Sequence, residues 1–122
     1  MRILIVTLGA GLGGVSRYLL QGWILERTGP SILALFVINV SGSFALGLVT
    51  TLAVERNLIN PDIRLLLTTG ILGGYTTFSS WILESFQLLE GGNIVRASVN
   101  VLGSAIIGLI GVYLGVVAGR IA

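Results

Sequence analysis

The sequence predicts an all-α integral membrane protein that forms a single domain over residues 1–122. Of the 122 residues, 54% are hydrophobic and only 10% are charged, whereas about 25% are charged in an ordinary soluble domain. Three runs contain no charged residue, 28–54, 65–83 and 97–119. Each run is close to or longer than the roughly 20 residues that cross a bilayer as a helix. Lipid rather than water is therefore the predicted solvent for most of the surface.

Four transmembrane helices are predicted, because a further apolar segment precedes these three runs. The predicted helices cover residues of about 3–25, 31–54, 63–88 and 95–119. The first is apolar except for Arg17, whose charge must face protein or water rather than lipid. Pro30 and Pro61 fall in the first turns of the second and third helices, where a missing N–H is harmless. The pair Gly91-Gly92 predicts a break before the fourth helix.

The arginines are distributed almost evenly between the two sides of the membrane. Four spans leave four arginines on one side and two on the other: Arg2, Arg56, Arg64 and Arg120 against Arg27 and Arg96. The positive-inside rule then mildly favours cytoplasmic termini. So small an excess also permits insertion in both orientations.

Composition excludes several classes of function. The chain has no histidine and no cysteine, and its five carboxylates are scattered, so the usual parts of a hydrolytic site or a Ser-His-Asp triad are missing. An enzyme is not predicted. The arginines occur singly and there is no lysine, which argues against nucleic acid as a partner. The segment 9–14 matches G-x-G-x-x-G, but a dinucleotide site requires alternating strands and helices that this chain lacks.

Glycine spacing predicts close contacts between helices. The motifs Gly111-x-x-x-Gly115-x-x-x-Gly119 and Gly70-x-x-x-Gly74 place small residues on one helical face, which allows backbones to approach in lipid. We expect these faces to support self-association. The alternative is that they pack only within one chain.

Two stripes of polar and small residues run along the second and fourth helices. Both have a spacing of four residues: Asn39, Ser43 and Gly47 in one, and Asn100, Ser104 and Gly108 in the other. Such side chains in lipid must find partners or line a wet path. The stripes are therefore interpreted either as interhelical hydrogen bonding or as donors along a path for a small anion.

The segment 70–81 predicts an interruption in the third helix. Glycines, four hydroxyl side chains and three aromatic rings crowd the middle of an apolar stretch. Paired glycines followed by threonines weaken a helix, and free carbonyls at membrane depth need protein, water or an ion as a partner. We expect a break between Gly73 and Thr77 that is buried at a subunit contact.

These motifs together resemble the CrcB/Fluc family of fluoride channels. The resemblance rests on three ordered motifs: Gly13-Gly14-x-x-Arg17-Tyr18, Asn39-Val40-x-Gly42-Ser43-Phe44-x-Leu46-Gly47, and Arg64 with Gly70-x-x-Gly73-Gly74-x-Thr76-Thr77-Phe78-Ser79. The family commonly reads T-T-F-S-T-F where this chain ends in Ser80-Trp81. The second aromatic of the pore is therefore a tryptophan here.

The resemblance implies a fluoride-selective ion channel that exports fluoride passively and lowers its cytoplasmic concentration. It implies a multi-pass protein of the cell inner (plasma) membrane, assembled as an antiparallel, dual-topology dimer. The partners would be the fluoride ion, the lipid bilayer and a second copy of the chain, although a paired homologue is an open alternative.

The resemblance also implies roles for individual residues. Phe78 lines the pore, Asn39 contributes donors, and backbone carbonyls of Gly73 and Thr76 from both subunits hold a structural Na⁺, with no organic cofactor. The full set of pore-lining residues interpreted in this way is Asn39, Ser43, Thr77, Phe78, Ser79, Trp81, Asn100 and Ser104.

Arg17 and Glu84 are assigned to a vestibule. A cation there raises the local anion concentration. The alternative for Arg17 is a pair with Glu84 or with carbonyls at a helix end. Glu84 matches a glutamate that the family often has six residues after the phenylalanine, and its role is open.

Two other functions compete with the channel. A small multidrug-type, proton-coupled antiporter also has four helices, but it requires a carboxylate in its first span, and residues 3–25 contain none. A scaffold subunit without transport activity would explain the glycine faces, but not two donor stripes beside a broken aromatic helix.

Overall fold

The computed structural model describes residues 1–122 and is entirely helical. Helix α1 is Arg2–Thr28 and α2 is Ser31–Val54. Helix α3 begins as Pro61–Leu65, continues as a π-helical stretch Leu66–Leu72 and ends with Gly73–Tyr75. Helix α4 is Ser79–Glu90. Helix α5 runs through Ile94–Ser98, a π-helical stretch Val99–Gly103 and Ser104–Ile121.

Helices α1, α2 and α5 are each long and apolar enough to cross a membrane. The third predicted helix, 63–88, is interrupted as expected and consists of the two segments α3 and α4. Asparagine side chains cap the N-termini of α3 and α5. Asn60 Oδ1 accepts from Ile63 N–H at 2.9 Å, and Asn93 Oδ1 accepts from Arg96 N–H at 3.3 Å. Such N-caps satisfy amide groups that have no partner within the helix.

Helices α2 and α5 form an extensive contact. A Cβ on Gly115 would collide with the carbonyl oxygen of Phe44, and one on Gly47 would collide with that of Val112. The two backbones therefore touch through glycines, as the motif 111–119 predicts. This motif packs within the chain, as the alternative interpretation of it predicts.

Helix α3 packs against α1 in the same way. A Cβ on Gly9 would lie 2.8 Å from Gly70 Cα, and one on Gly74 would meet the carbonyl of Ala10. The second small-residue motif, 70–74, is thus also used inside the chain. Any association between copies of the chain needs a different face.

Few side chains are buried, and the outside of the molecule is apolar. Only 17 of the 122 residues are buried, and Leu35 and Ile38 are the largest side chains that are fully so. Large apolar side chains such as Leu19, Leu109 and Tyr113 lie exposed on the outer faces. Such a surface is stable in lipid and not in water, so the chain is a multi-pass membrane protein.

The ends of α2 and α5 are tied by polar contacts. Arg120 donates to both carboxylate oxygens of Glu55, each at 2.9 Å, and this hydrogen bonding holds the pKa of Glu55 below its ordinary value. Arg56 donates to the carbonyl of Arg120 at 2.8 Å. These contacts lie at the end of the molecule, remote from the broken helix.

Candidate functional site

The site is organised around a three-residue break between α3 and α4. Helix α3 ends at Tyr75, Thr76 adopts an extended conformation with φ −80° and ψ 155°, and α4 begins at Ser79. The break was predicted between Gly73 and Thr77, but Gly73 and Gly74 are still helical. The interruption therefore lies two to three residues later than the glycines that predict it.

The side chain of Asn39 holds the break in place. Its Nδ2 donates to the carbonyl of Thr77 at 3.0 Å, and its Oδ1 accepts from Thr77 N–H at 2.9 Å. A single amide on α2 thus replaces the two hydrogen bonds that Thr77 would make in a continuous helix. Since Nδ2 carries two hydrogens, one donor of Asn39 is left for another partner.

The break also leaves main-chain oxygens without helical partners. Thr77 N–H bonds to Asn39 instead of the carbonyl of Gly73, and no N–H of α4 reaches back to the carbonyl of Thr76. Free carbonyl oxygens at this depth are electron-rich groups that suit a hard cation. Gly73 is exposed on the surface of the single chain.

Arg17 reaches the same region from α1. Its Nε donates to the carbonyl of Gly74 at 3.3 Å, in the last turn of α3. A guanidinium at a helix C-terminus is stabilised by the partial negative charge there. Arg17 therefore binds a carbonyl at a helix end, which was one of its two predicted partners, and does not pair with Glu84.

A groove of about 490 Å³ runs along the break, with walls from α2, α3, α5 and the first turn of α4. No charged side chain lines it. Of the residues predicted for the pore, those in the lining are Asn39, Ser43, Thr77, Phe78, Trp81 and Ser104, and the predicted metal-site residues Gly73 and Thr76 join them. Ser79 and Asn100 do not line this groove, and neither do Arg17 and Glu84.

Two aromatic rings line the groove. Phe78 and Trp81 pack edge to face, with ring centroids 5.7 Å apart and an interplanar angle of 71°. Phe78 is 71% exposed in the single chain. Because the edge of an aromatic ring carries partial positive charge, these rings offer weak positive potential without a formal charge.

The groove contains hydroxyl groups with different hydrogen-bonding states. Ser43 Oγ donates to the carbonyl of Asn39 at 2.7 Å, so its proton is already used. Ser104 Oγ is buried and has no hydrogen-bond partner. A buried polar atom without a partner is rare and demands an explanation. Ser104 is thus a lining residue whose hydroxyl is unpartnered but buried in the single chain.

Asn100 has a structural place outside the groove, unlike the pore position predicted for it. Its Nδ2 donates to Ser85 Oγ at 2.9 Å, Ser85 Oγ donates to the carbonyl of Trp81 at 2.9 Å, and Trp81 Nε1 donates to the carbonyl of Asn100 at 3.2 Å. This closed ring of bonds joins α4 to α5 and fixes the indole. The indole N–H is consequently not free to bind an anion.

Ser85 is the member of this network that the sequence interpretation missed. It follows Trp81 by four residues and so lies on the same helical face. That spacing was the available signal.

Glu84 also has a partner that was not predicted. Ser31 Oγ at the start of α2 bonds to Glu84 Oε1, whereas Glu84 Oε2 is buried and has no partner. This contact ties α4 to α2. A vestibule shared by Arg17 and Glu84 is not formed within the chain, since each binds a different element.

The fold and the groove define a class: a multi-pass helical membrane protein with an uncharged, aromatic-lined groove at a broken helix. Comparison with known proteins supplies the family. The family model described as "CrcB-like protein, Camphor Resistance (CrcB)" matches residues 4–116. The chain belongs to this family.

Several relatives match over nearly their whole length. A protein of Chlorobium chlorochromatii is 41% identical over 97% of this chain and 92% of its own. One of Trichormus variabilis is 43% identical over 95% and 86%, and one of Roseiflexus sp. is 40% identical over 99% and 98%. All three are named "Fluoride-specific ion channel FluC".

Proposed function

We propose that the protein is a fluoride-selective ion channel and that the groove along the break is its ion path. The observation that carries the proposal is the lining itself, which brings together the rings of Phe78 and Trp81, the amide of Asn39 and the serines Ser43 and Ser104 without any charged residue. The relatives named fluoride-specific ion channels support it.

The chemistry of the lining suits a small, strongly hydrated anion. Fluoride can leave water only where close donors replace its hydration shell, and an amide N–H and a hydroxyl are such donors. Ring edges add positive potential. Conduction also requires that binding be weak enough for release, and a lining without arginine meets this requirement.

The groove is open on one side in the single chain, and a second copy of the chain would close it. We place Gly73 and the exposed ring of Phe78 at that contact, in an antiparallel dimer. The glycine faces of α3 and α5 are occupied within the chain, which leaves the broken helix as the candidate interface. Helices α3 and α4 together would form the third of four membrane spans.

A structural Na⁺ would lie at the same contact. Its ligands would be the carbonyl oxygens of Gly73 and Thr76 from each copy. These oxygens are free of helical hydrogen bonds in the break, and oxygen ligands are those that hard cations prefer. The ion would stabilise the dimer and would not be transported.

Fluoride efflux from liposomes tests the function directly. The purified protein is reconstituted, valinomycin balances charge, and electrodes follow fluoride and chloride outside. Rapid fluoride release without chloride release is expected. Equal leakage of both ions, or no fluoride release from a confirmed dimer, would contradict the proposal. The antiporter finds no support, since the first carboxylate of α1 is Glu26, near its C-terminal end.

The proposed topology can be tested separately, because the chain has no native cysteine. A single Glu90→Cys variant, at the exposed end of α4, is labelled on intact cells with a membrane-impermeant thiol reagent. Labelling of about half of the molecules is expected for insertion in both orientations. Complete labelling, or none before lysis, would contradict dual topology.

A further inference from the structure

A second cavity lies at one end of the molecule, between the start of α1 and the start of α3. It has a volume of about 260 Å³ and is lined by Arg2, Pro61, Arg64, Leu65, Thr68 and Thr69. We call it the two-arginine cleft. No carboxylate lines it, and Asp62 two residues before Arg64 is not part of its wall.

The arginines of the cleft differ from most others in the chain because they have no partner. Arg17 and Arg56 donate to backbone carbonyls, Arg120 binds Glu55, and Arg27 covers the ring of Trp23. Neither Arg2 nor Arg64 makes a side-chain hydrogen bond or a salt bridge. Two guanidinium groups that share one cleft without a counter-ion are complementary to an anion.

The depth of the cleft in the bilayer indicates the source of that anion. Helix α1 has 27 residues and is about 40 Å long, which exceeds the hydrocarbon thickness of about 30 Å. Arg2 is its first residue and so lies at the level of the lipid headgroups. Pro61 and Leu65 add an apolar edge to the polar wall.

We propose that the two-arginine cleft binds the phosphate of an anionic phospholipid headgroup. Guanidinium groups match phosphate oxygens through paired hydrogen bonds, and the hydroxyl of Thr69 supplies a further donor. The cleft is far larger than a single halide ion requires. Thr68 lines both the cleft and the groove, so an occupied cleft anchors the start of α3, the helix that carries the break.

Native mass spectrometry of the purified protein tests this site with two lipids as probes. Phosphatidylglycerol is titrated against phosphatidylcholine, for the wild type and for Arg2→Gln, Arg64→Gln and the double variant. We expect phosphatidylglycerol affinity to fall about threefold to tenfold for each single change and at least tenfold for both. Arg96→Gln removes an arginine that lies outside the cleft, and it should leave the affinity unchanged.

Thr69→Val keeps both arginines and should weaken lipid binding about twofold to threefold. This variant tests the site even if the arginine variants fail to fold. Equal loss in Arg96→Gln, or no wild-type preference for phosphatidylglycerol, would overturn the proposal. Displacement of the lipid by millimolar inorganic phosphate would indicate a site for the free anion instead. If the variants slow fluoride flux equally in vesicles of both lipids, the cleft is an ion entrance and the proposal fails.

Discussion

Asn39 and Asn100 begin two stripes that are spaced identically in the sequence, yet the structure uses them differently. Asn39 lies beside the break, holds Thr77 through two hydrogen bonds and lines the groove. Asn100 bonds to Ser85 and belongs to a network that joins α4 to α5. The serines differ too, because Ser43 donates back to its own helix and Ser104 has no partner.

The role of a polar stripe thus depends on the element that packs beside it. Next to α2 lies the break, where backbone N–H and carbonyl groups lack helical partners. An amide there supplies the missing hydrogen bonds. Next to the first part of α5 lies the continuous helix α4, where Asn100 meets the hydroxyl of Ser85 and the indole of Trp81 rather than a broken backbone. The same residue type therefore lines the groove in one place and joins two helices in the other.

The largest expected effect is at the aromatic end of the groove. Phe78→Ile should reduce fluoride flux by about 100-fold or more, because it removes the ring edge while it keeps apolar volume. Flux is measured with a fluoride electrode, and size-exclusion chromatography checks that the elution volume of the variant matches that of the wild type. Wild-type flux through a folded Phe78→Ile protein would refute the role given to this ring.

The next effect separates the two asparagines. Asn39→Ala should lower flux by about tenfold to 100-fold, since the change leaves Thr77 N–H without a partner and lets the break rearrange. Efflux from liposomes at equal protein density is the measurement. Losses of equal size in Asn39→Ala and Asn100→Ala would mean that the two stripes have been assigned incorrectly.

Asn100→Ala is expected to act on stability more than on flux. Removal of its amide leaves Ser85 Oγ with one partner fewer and should destabilise the fold by about 1–2 kcal/mol, with a change in flux of less than about threefold. Thermal inactivation in detergent gives the stability, and Ser85→Ala is the matched variant. A larger fall in flux than in stability would return Asn100 to the ion path.

The two serines sharpen the comparison further. Ser104→Ala should reduce flux a few-fold without a loss of stability, because its hydroxyl has no partner to lose. Ser43→Ala is the control, since its proton already bonds to the carbonyl of Asn39, and it should have a smaller effect on flux. A reversed order would indicate that the donor in the groove is Ser43.

The smallest effect is at the remote end, where the groove plays no part. The hydrogen bond from Arg120 lowers the pKa of Glu55, so the stabilisation is present above the unfolded pKa of about 4.3 and disappears as the pH falls through the lower folded pKa. Because the pair is exposed, the effect on stability is small.

Melting of the wild type and Glu55→Gln, followed from neutral pH to below about pH 3, should show a small difference that vanishes in acid. The fluoride flux of Glu55→Gln at neutral pH should equal that of the wild type. A difference in melting temperature that grows in acid would contradict the role of this ion pair.

Much of the architecture could be predicted from the sequence. The uncharged runs required lipid as the solvent, and the motif from Gly73 to Thr77 predicted an interruption within three residues of the one observed. The identity of the elements that face each other could not be predicted. Periodicity tells which residues share a helical face, but not which neighbour covers it.

The glycine motifs and the charged residues illustrate the limit. The motif 111–119 is equally compatible with a contact between copies and with the contact to α2 that is observed. Arg17 had two possible partners, and only the position of α1 against α3 selects the carbonyl of Gly74. The role of Ser85 could not be predicted, because it depends on the packing of α4 against α5 that brings Trp81 and Asn100 together.

The amino-acid sequence is enough to predict a helical membrane protein with a broken span and uncharged donors in its interior. Charged side chains and unpaired backbone groups are too unfavourable in lipid for another fold. Which donors meet depends on how the helices pack. Helix packing brings Asn39 to the break and Asn100 to Ser85, since a hydrogen bond forms only between groups that lie within about 3 Å of each other, whatever their spacing in the chain.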